Sequence, residues 1–143
     1  MFKDLVFLTN TDTAIGFVSQ NSDRLDEIKK RVDDKRYIRA VNSLDTLKGF
    51  TRVPNRFKNR VRRSKKSTFI IKEESFRMVD DDKHLLLLNR MGWAYTTSAN
   101  LSGAKYDEEF AKGGANVVVY PLSKDKSPSK IYKLGRYKIK KIR

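Results

Sequence analysis

Short apolar runs alternate with amphipathic stretches along the whole chain, and the two periods predict interleaved strands and helices. Asp4 to Leu8 is predicted as a buried strand, with polar Thr9 to Thr13 as its loop and Ala14 to Val18 as its continuation. Ser22 or Asp23 can cap a helix running through Arg31, whose acids sit at its start and whose Lys29, Lys30 and Arg31 sit at its end, as the helix dipole prefers. Tyr37 to Val41 is a second strand, and Ser43 starts a short helix with Leu44 and Leu47 on one side and Gly49 as its stop. Pro54 then opens a basic helix in which Val53, Phe57 and Val61, four apart, form one apolar stripe.

Thr68 to Ile71 and Phe76 to Val79 are predicted as paired strands around Lys72 to Ser75. A helix over Asp82 to Met91, a strand over Ala94 to Thr97, a helix over Tyr106 to Lys112 and a buried strand over Asn116 to Tyr120 follow. Lys130 to Leu134 and Tyr137 to Ile142 make a closing hairpin around Gly135-Arg136, with Ile131, Ile139 and Ile142 facing inward. Ser123 to Pro128 is a polar loop before it. The pattern is that of an α/β sheet covered by helices, in one domain over residues 1–143.

Composition narrows the function. With 143 residues, 38% of them hydrophobic, the chain can build one core. Cysteine is absent, which removes disulfide scaffolds, thiolate metal sites and cysteine nucleophiles. No apolar run approaches a membrane span and Met1 to Leu8 does not read as a signal peptide, so a cytoplasmic location is expected. The net charge of +15 is localised: Arg52 to Lys66 has eight basic residues and no acid, and Lys124 to Arg143 has nine with one acid. The rest of the chain is nearly neutral. A basic face and a polyanionic partner are expected.

The single histidine, His84, lies in a leucine-rich helix and reads as a solvated position rather than a catalytic one; Trp93 reads as packing at a strand entrance. More informative is Thr96-Thr97-Ser98-Ala99-Asn100-Leu101-Ser102-Gly103, four hydroxyls and an amide between a strand and a helix. Such a loop suits phosphate oxygens. It suits equally a connection satisfied by its own Asn and Ser side chains, and spacing alone does not separate the two.

Residues 97 to 103, Thr-Ser-Ala-Asn-Leu-Ser-Gly, resemble the signature of the YrdC/TsaC family of threonylcarbamoyl-AMP synthases. Other segments fall in the family's order. Asn10-Thr11-Asp12-Thr13-Ala14-Ile15-Gly16-Phe17 resembles its Pro-Thr-(Asp/Glu)-Thr-x-Tyr-Gly-Leu stretch, and Lys29-Lys30-Arg31 its Lys-x-Arg. Ser67-Thr68-Phe69, Phe76-Arg77-Met78-Val79 and Pro128-Ser129-Lys130-Ile131 are similar to the end of its Pro-Gly-Pro-x-Thr-Phe, to its Val-Arg-x-Pro and to its Pro-Ser-Thr-Ile. The departures are Ser64-Lys65-Lys66 for Pro-Gly-Pro, Asn10 for proline, Ile15 for tyrosine and Val32 for the proline after Lys-x-Arg, in a chain shorter than typical members.

The resemblance implies a YrdC-like twisted mixed β-sheet flanked by helices with a concave basic cavity. It also implies formation of threonylcarbamoyl-AMP from L-threonine, bicarbonate and ATP for the t6A modification of tRNA. By matching position, Lys29, Arg31, Ser98 and Asn100 would form the catalytic tetrad, Thr11, Thr13 and Arg77 would hold threonine, and Thr68 and Ser129 would serve the nucleotide and threonine sides. ATP would bring Mg²⁺ held largely by phosphate oxygens and water. Crowded anions around phosphorus need preorganised donors more than a proton carrier, which accords with the absence of a placed histidine. Lys29 and Arg31, two apart, point in different directions on a helix. For both to reach one ligand the chain must leave helical geometry around Lys30. The rival reading is a non-catalytic double-stranded RNA or tRNA binder on the same fold, using Arg52, Arg56, Lys58, Arg60, Arg62, Arg63, Lys65 and Lys66.

Overall fold

The computed structural model describes residues 3–30, 37–101, 104–120, 122 and 129–143. Among them, nine strands form one mixed sheet and five α-helices cover it, as the interleaved pattern predicts. The strands are β1 (Phe7–Asn10), β2 (Ile15–Ser19), β3 (Ile38–Val41), β4 (Ser67–Ile71), β5 (Glu74–Met78), β6 (Trp93–Ser98), β7 (Val117–Val118), β8 (Lys130–Leu134) and β9 (Ile139–Lys141). Their order in space is β7-β1-β2-β6-β3-β5-β4-β8-β9. The pairs β1/β7, β3/β5 and β4/β8 are parallel and the others antiparallel.

The helices are α1 (Ser22–Lys29), α2 (Leu44–Lys48), α3 (Lys58–Arg62), α4 (Asp82–Met91) and α5 (Glu108–Gly114). Side-chain alternation divides them between the two faces of the sheet. On one face, Phe17, Leu8 and Ile15 pack with Leu25 of α1 and Ala111 of α5, while Val41, Phe76 and Met78 pack with Leu44 and Leu47 of α2 and Val61 of α3. Val53, Phe57 and Val61 are all buried there, which is why a segment so rich in arginine still docks. On the other face, Val18, Ala40, Ala94 and Phe7 pack with Leu88 of α4.

Arg39 joins the two halves of the first face. Its guanidinium lies 4.3 Å from the Phe50 ring centroid and 5.1 Å from those of Trp93 and Tyr95, and donates to the Tyr95 hydroxyl at 2.8 Å. Trp93 is therefore packing, as the sequence implies.

Where the elements differ from expectation, a side chain has redirected the backbone. Ala14 to Val18 does not continue β1 but returns antiparallel to it as β2. The Thr11 hydroxyl donates to the Ala14 carbonyl at 2.7 Å and accepts from the Ala14 N–H at 3.2 Å, tying the turn. Asn21, one residue ahead of the expected caps, caps α1 by accepting from Arg24 N–H at 3.2 Å. Asp107 caps α5 and delays its start to Glu108. The strand expected over Asn116 to Tyr120 is two residues at the sheet edge, with Val117 and Val119 part-exposed. In the final hairpin the inward residues are Tyr132, Leu134 and Ile139, whereas Ile142 is exposed.

The departure from helical geometry that the Lys-x-Arg spacing requires is present. Lys30 caps α1 in the left-handed region at φ 51° and ψ 42°. A side-chain-bearing residue there is strained, so Lys30→Gly should stabilise the fold by about 0.5–1 kcal/mol. A rise in the chemical-denaturation midpoint would register it, and an unchanged or lowered midpoint would mean that the Lys30 side chain offsets the strain.

Candidate functional site

Two groups of sequence-singled residues converge around the facing ends of β1, β2 and β6. Lys29, the last residue of α1, is 2% exposed. Its ammonium donates to the Ser98 carbonyl at 2.8 Å, to Thr97 Oγ1 at 3.1 Å and, more loosely, to Ser98 Oγ at 3.5 Å. The left-handed turn at Lys30 ends the helix just after it, so the aliphatic stem runs into the protein and delivers the charge to the end of β6. Ser98 itself is exposed. Asn100 donates its amide N–H groups to the carbonyls of Leu101 at 3.0 Å and Ala104 at 2.6 Å, so it braces its own loop. Its Oδ1 is buried with no hydrogen-bond partner among the described residues. Arg31, Ser102 and Gly103 lie outside the described residues.

The second group is built on Arg77 of β5, whose pleat places it on the α4 face beside Thr68 of β4. Burial of its guanidinium requires partners, and there are four. Nη1 donates to Thr13 Oγ1 at 3.1 Å and pairs with Asp12 Oδ1 at 3.3 Å. Nε and Nη2 both reach Thr68 Oγ1 at 3.2 Å, and Nη2 also reaches Ser129 Oγ at 3.2 Å. The Thr68 hydroxyl donates in turn to Ser129 Oγ at 3.0 Å. Arg143 adds a second guanidinium, donating to the Ser129 carbonyl at 3.0 Å and to its Oγ at 3.3 Å. Three donors therefore meet on one hydroxyl oxygen that has two lone pairs.

The two groups are contiguous. Gly16 pairs with Ser98 across β2 and β6, and a Cβ on Gly16 would stand 2.7 Å from the Thr97 carbonyl and 3.1 Å from Thr11 Cγ2. Only glycine lets the Thr11 turn lie this close to the strand that carries Ser98. Thr11 Oγ1 is 3.4 Å from Thr13 Oγ1, and Thr13 touches Arg77. Of the sequence candidates, Lys29, Ser98, Thr11, Thr13, Arg77, Thr68 and Ser129 thus form one linked series. Thr11 holds the turn rather than presenting a free hydroxyl.

Three members were not legible as such. Asp12 lay inside the quoted first motif but had no assigned role; its place between two threonines was the available signal. Arg143 is one of nine cations in its segment and nothing local marks it. His84 is not solvated but 0% exposed, because the first turn of α4 presses it onto the sheet. Neither ring nitrogen has a partner among the described residues.

The electrostatics follow from burial. Asp12 is lifted above its ordinary 3.8 because loss of solvent outweighs the adjacent Arg77 guanidinium, and its Oδ2 has no partner among the described residues. Burial lowers Arg77 below the usual guanidinium range, a direction that Asp12 opposes. His84 is pushed down from 6.5 to about 4 by burial, with Arg77 adding to the effect and Asp81 opposing it. Among the described residues no group of three or more His, Asp or Glu could hold a metal ion.

The basic candidates Arg52, Arg56, Arg60, Arg62, Arg63, Lys65 and Lys66 are exposed and Lys58 is half-buried. They lie on and around α3, and the closing hairpin packs beside them. Arg60 sits 5.0 Å over the Tyr132 ring, and Arg56 donates to the Tyr137 carbonyl at 3.2 Å.

No family model matches the chain. Over 149 residues it is 28% identical to the uncharacterized protein MG259 homolog of Mycoplasma pneumoniae, covering 96% of this chain and 32% of that protein. Over 103 residues it is 32% identical to uncharacterized protein MG259 of Mycoplasma genitalium, covering 71% of this chain and 22% of that protein. The chain therefore spans about a third or less of the curated relatives it matches.

Among solved structures it superposes on P. abyssi Sua5 complexed with L-threonine at TM-score 0.78 and 17% identity, covering 97% of this chain and 50% of that one. It superposes on E. coli YciO at 0.76 and 16%, covering 97% and 82%. Full-length HypF in the phosphate- and nucleotide-bound form gives 0.74 and 15%, covering 97% and 26%. The chain has the YrdC-like α/β fold. No described helix is long and apolar enough to cross a membrane.

Acid should probe the buried histidine. The unfolded chain takes up a proton near pH 6.5 while the native one resists until about 4, so stability falls as pH drops through that interval. The full effect is on the order of 3 kcal/mol. Asp12, raised, acts in the opposite sense, so the comparison is with His84→Leu. Urea denaturation at pH 7 and pH 4.5 should show wild type losing more stability than the variant; parallel losses would contradict a neutral buried imidazole.

Proposed function

We propose that the chain is a threonylcarbamoyl-AMP synthase-like domain, with an amino-acid carboxylate bound at the Arg77 end of the linked series and a nucleotide phosphate at the Lys29–Ser98 end. The observation that carries this reading is the surplus of donors at Ser129, where two guanidiniums and a threonine hydroxyl crowd one oxygen. A carboxylate or phosphate, with several lone pairs, would satisfy all of them with charge-assisted bonds. That Sua5 is seen complexed with L-threonine and HypF in a phosphate- and nucleotide-bound form, both on the same fold, supports an amino acid and a nucleotide as ligands.

In the reaction that the resemblance implies, threonine's amine and bicarbonate condense to a carbamate with loss of water. The carbamate oxygen attacks the α-phosphorus of ATP, and pyrophosphate leaves. The residues of this chain would supply electrostatics rather than proton transfer. Lys29, held in a nearly dry position, would stabilise charge building on phosphate oxygens; Ser98 would hydrogen-bond them, with Asn100 bracing the loop behind it; Arg77 would hold the threonine carboxylate. Mg²⁺ would arrive on the triphosphate.

The test is pyrophosphate release with threonine, bicarbonate and ATP. Wild type should give a threonine-dependent signal. Lys29→Ala and Ser98→Ala should each reduce it by about a hundredfold or more, with circular dichroism showing that the fold is kept. Absence of any threonine-dependent release from wild type would overturn the reading.

A second reading, RNA binding, is favoured by one specific observation. Arg56 and Arg60 of the first basic segment meet Tyr137 and Tyr132 of the second, about seventy residues on, where α3 packs beside the β8–β9 hairpin.

A further inference from the structure

The Arg77 site lies on the α4 face of the sheet, whereas Tyr132 and Leu134 of the hairpin pack against the α3 cluster on the opposite face. The α3–hairpin surface and the Arg77 end of the candidate site thus lie on opposite faces of the sheet, with Arg143 alone of the hairpin's described cations turned onto Ser129. Its make-up is unusual for a merely soluble surface. Arg56 and Arg136 lie 5.7 and 5.3 Å from the Tyr137 ring centroid, and Arg60 lies 5.0 Å from that of Tyr132. Tyr137 is 61% exposed at the hairpin tip. Exposed Lys138 follows it in the turn, and exposed Lys141 stands opposite Tyr132 across the hairpin on the same face. Among the described residues, the only acid paired with a cation of these two segments is Asp80, 3.8 Å from Lys65. Cations without carboxylate partners are available to phosphates, and guanidiniums already lying over rings mark faces where flat groups are favourable.

We propose that this surface binds unpaired RNA, gripping the backbone with the α3 arginines and the hairpin lysines and stacking a base on Tyr137. The proposal rests on the RNA-binding reading and deepens it. An A-form duplex presents phosphates but keeps its base faces inside the stack, so an exposed ring between two guanidiniums has nothing to receive from it. An unstacked base, by contrast, can replace one guanidinium on the ring, which frees that arginine for a phosphate. The free edge of β9, lined by Lys140 and Lys141, continues the cationic track without offering an apolar edge to another sheet.

Fluorescence anisotropy on the full chain, at ~150 mM salt where non-specific charge attraction is weakened, would test it. The probes are a labelled single-stranded RNA of ~12 nucleotides and an RNA duplex of ~16 base pairs, sizes that suit one strand-binding or one duplex-binding domain. The single strand should bind more tightly. Tyr137→Ala should weaken it about tenfold, Tyr137→Phe should retain it, and neither should change duplex binding. Arg60→Gln should weaken both RNAs to a similar extent. Duplex binding as tight as single-strand binding, or a Tyr137→Ala protein that binds the single strand like wild type, would overturn the proposal and leave RNA binding itself in place. Failure of wild type to bind either RNA would remove both.

Discussion

The buried guanidinium of Arg77 is the constraint around which this end of the molecule is organised. A charge removed from water must be matched where it lies, and removing one partner from such an arrangement typically costs about 3–5 kcal/mol. Here the partners come from β4, the Thr11 turn and the residue before β8, so one side chain ties together segments spread from residue 12 to residue 129. The same demand explains why polar residues occupy the sheet beside α4 where Val18, Ala40 and Ala94 supply an ordinary core a few ångströms on. The site is therefore preorganised: its donors stand in place because the fold requires them there.

Preorganisation recurs at Lys29. A left-handed residue just after α1 stops the helix while Lys29 still points inward, and its ammonium is distributed over oxygens of Thr97 and Ser98. Gly16 completes the arrangement by leaving no atom between the Thr11 turn and β6. Three local irregularities, a strained lysine, a hydroxyl-tied turn and a glycine without clearance, thus cluster where the candidate chemistry is, as strained backbone commonly does at ligand sites.

The cationic surface obeys different physics. It is largely exposed, and Arg56 and Arg60 lie against the Tyr137 and Tyr132 rings. The nearly dry Arg77 cluster and this wet cationic surface coexist because they lie on opposite faces of the sheet.

Local pattern located almost every element, because the short apolar runs that mark the strands and the stripe through Val53, Phe57 and Val61 are local properties. Ordered motif residues named most of the linked series, down to the requirement at Lys30, since backbone geometry follows from spacing. What lay beyond the sequence was long-range. Arg143 is indistinguishable from eight neighbouring cations until β9 pairs with β8 and turns it onto Ser129. His84 looked solvated until the first turn of α4 closed over the sheet. The strand after α5 shrank because it became an edge. Local chemistry sets which conformations a segment prefers; only the assembled sheet decides which charges are left without water, and that decision makes the site.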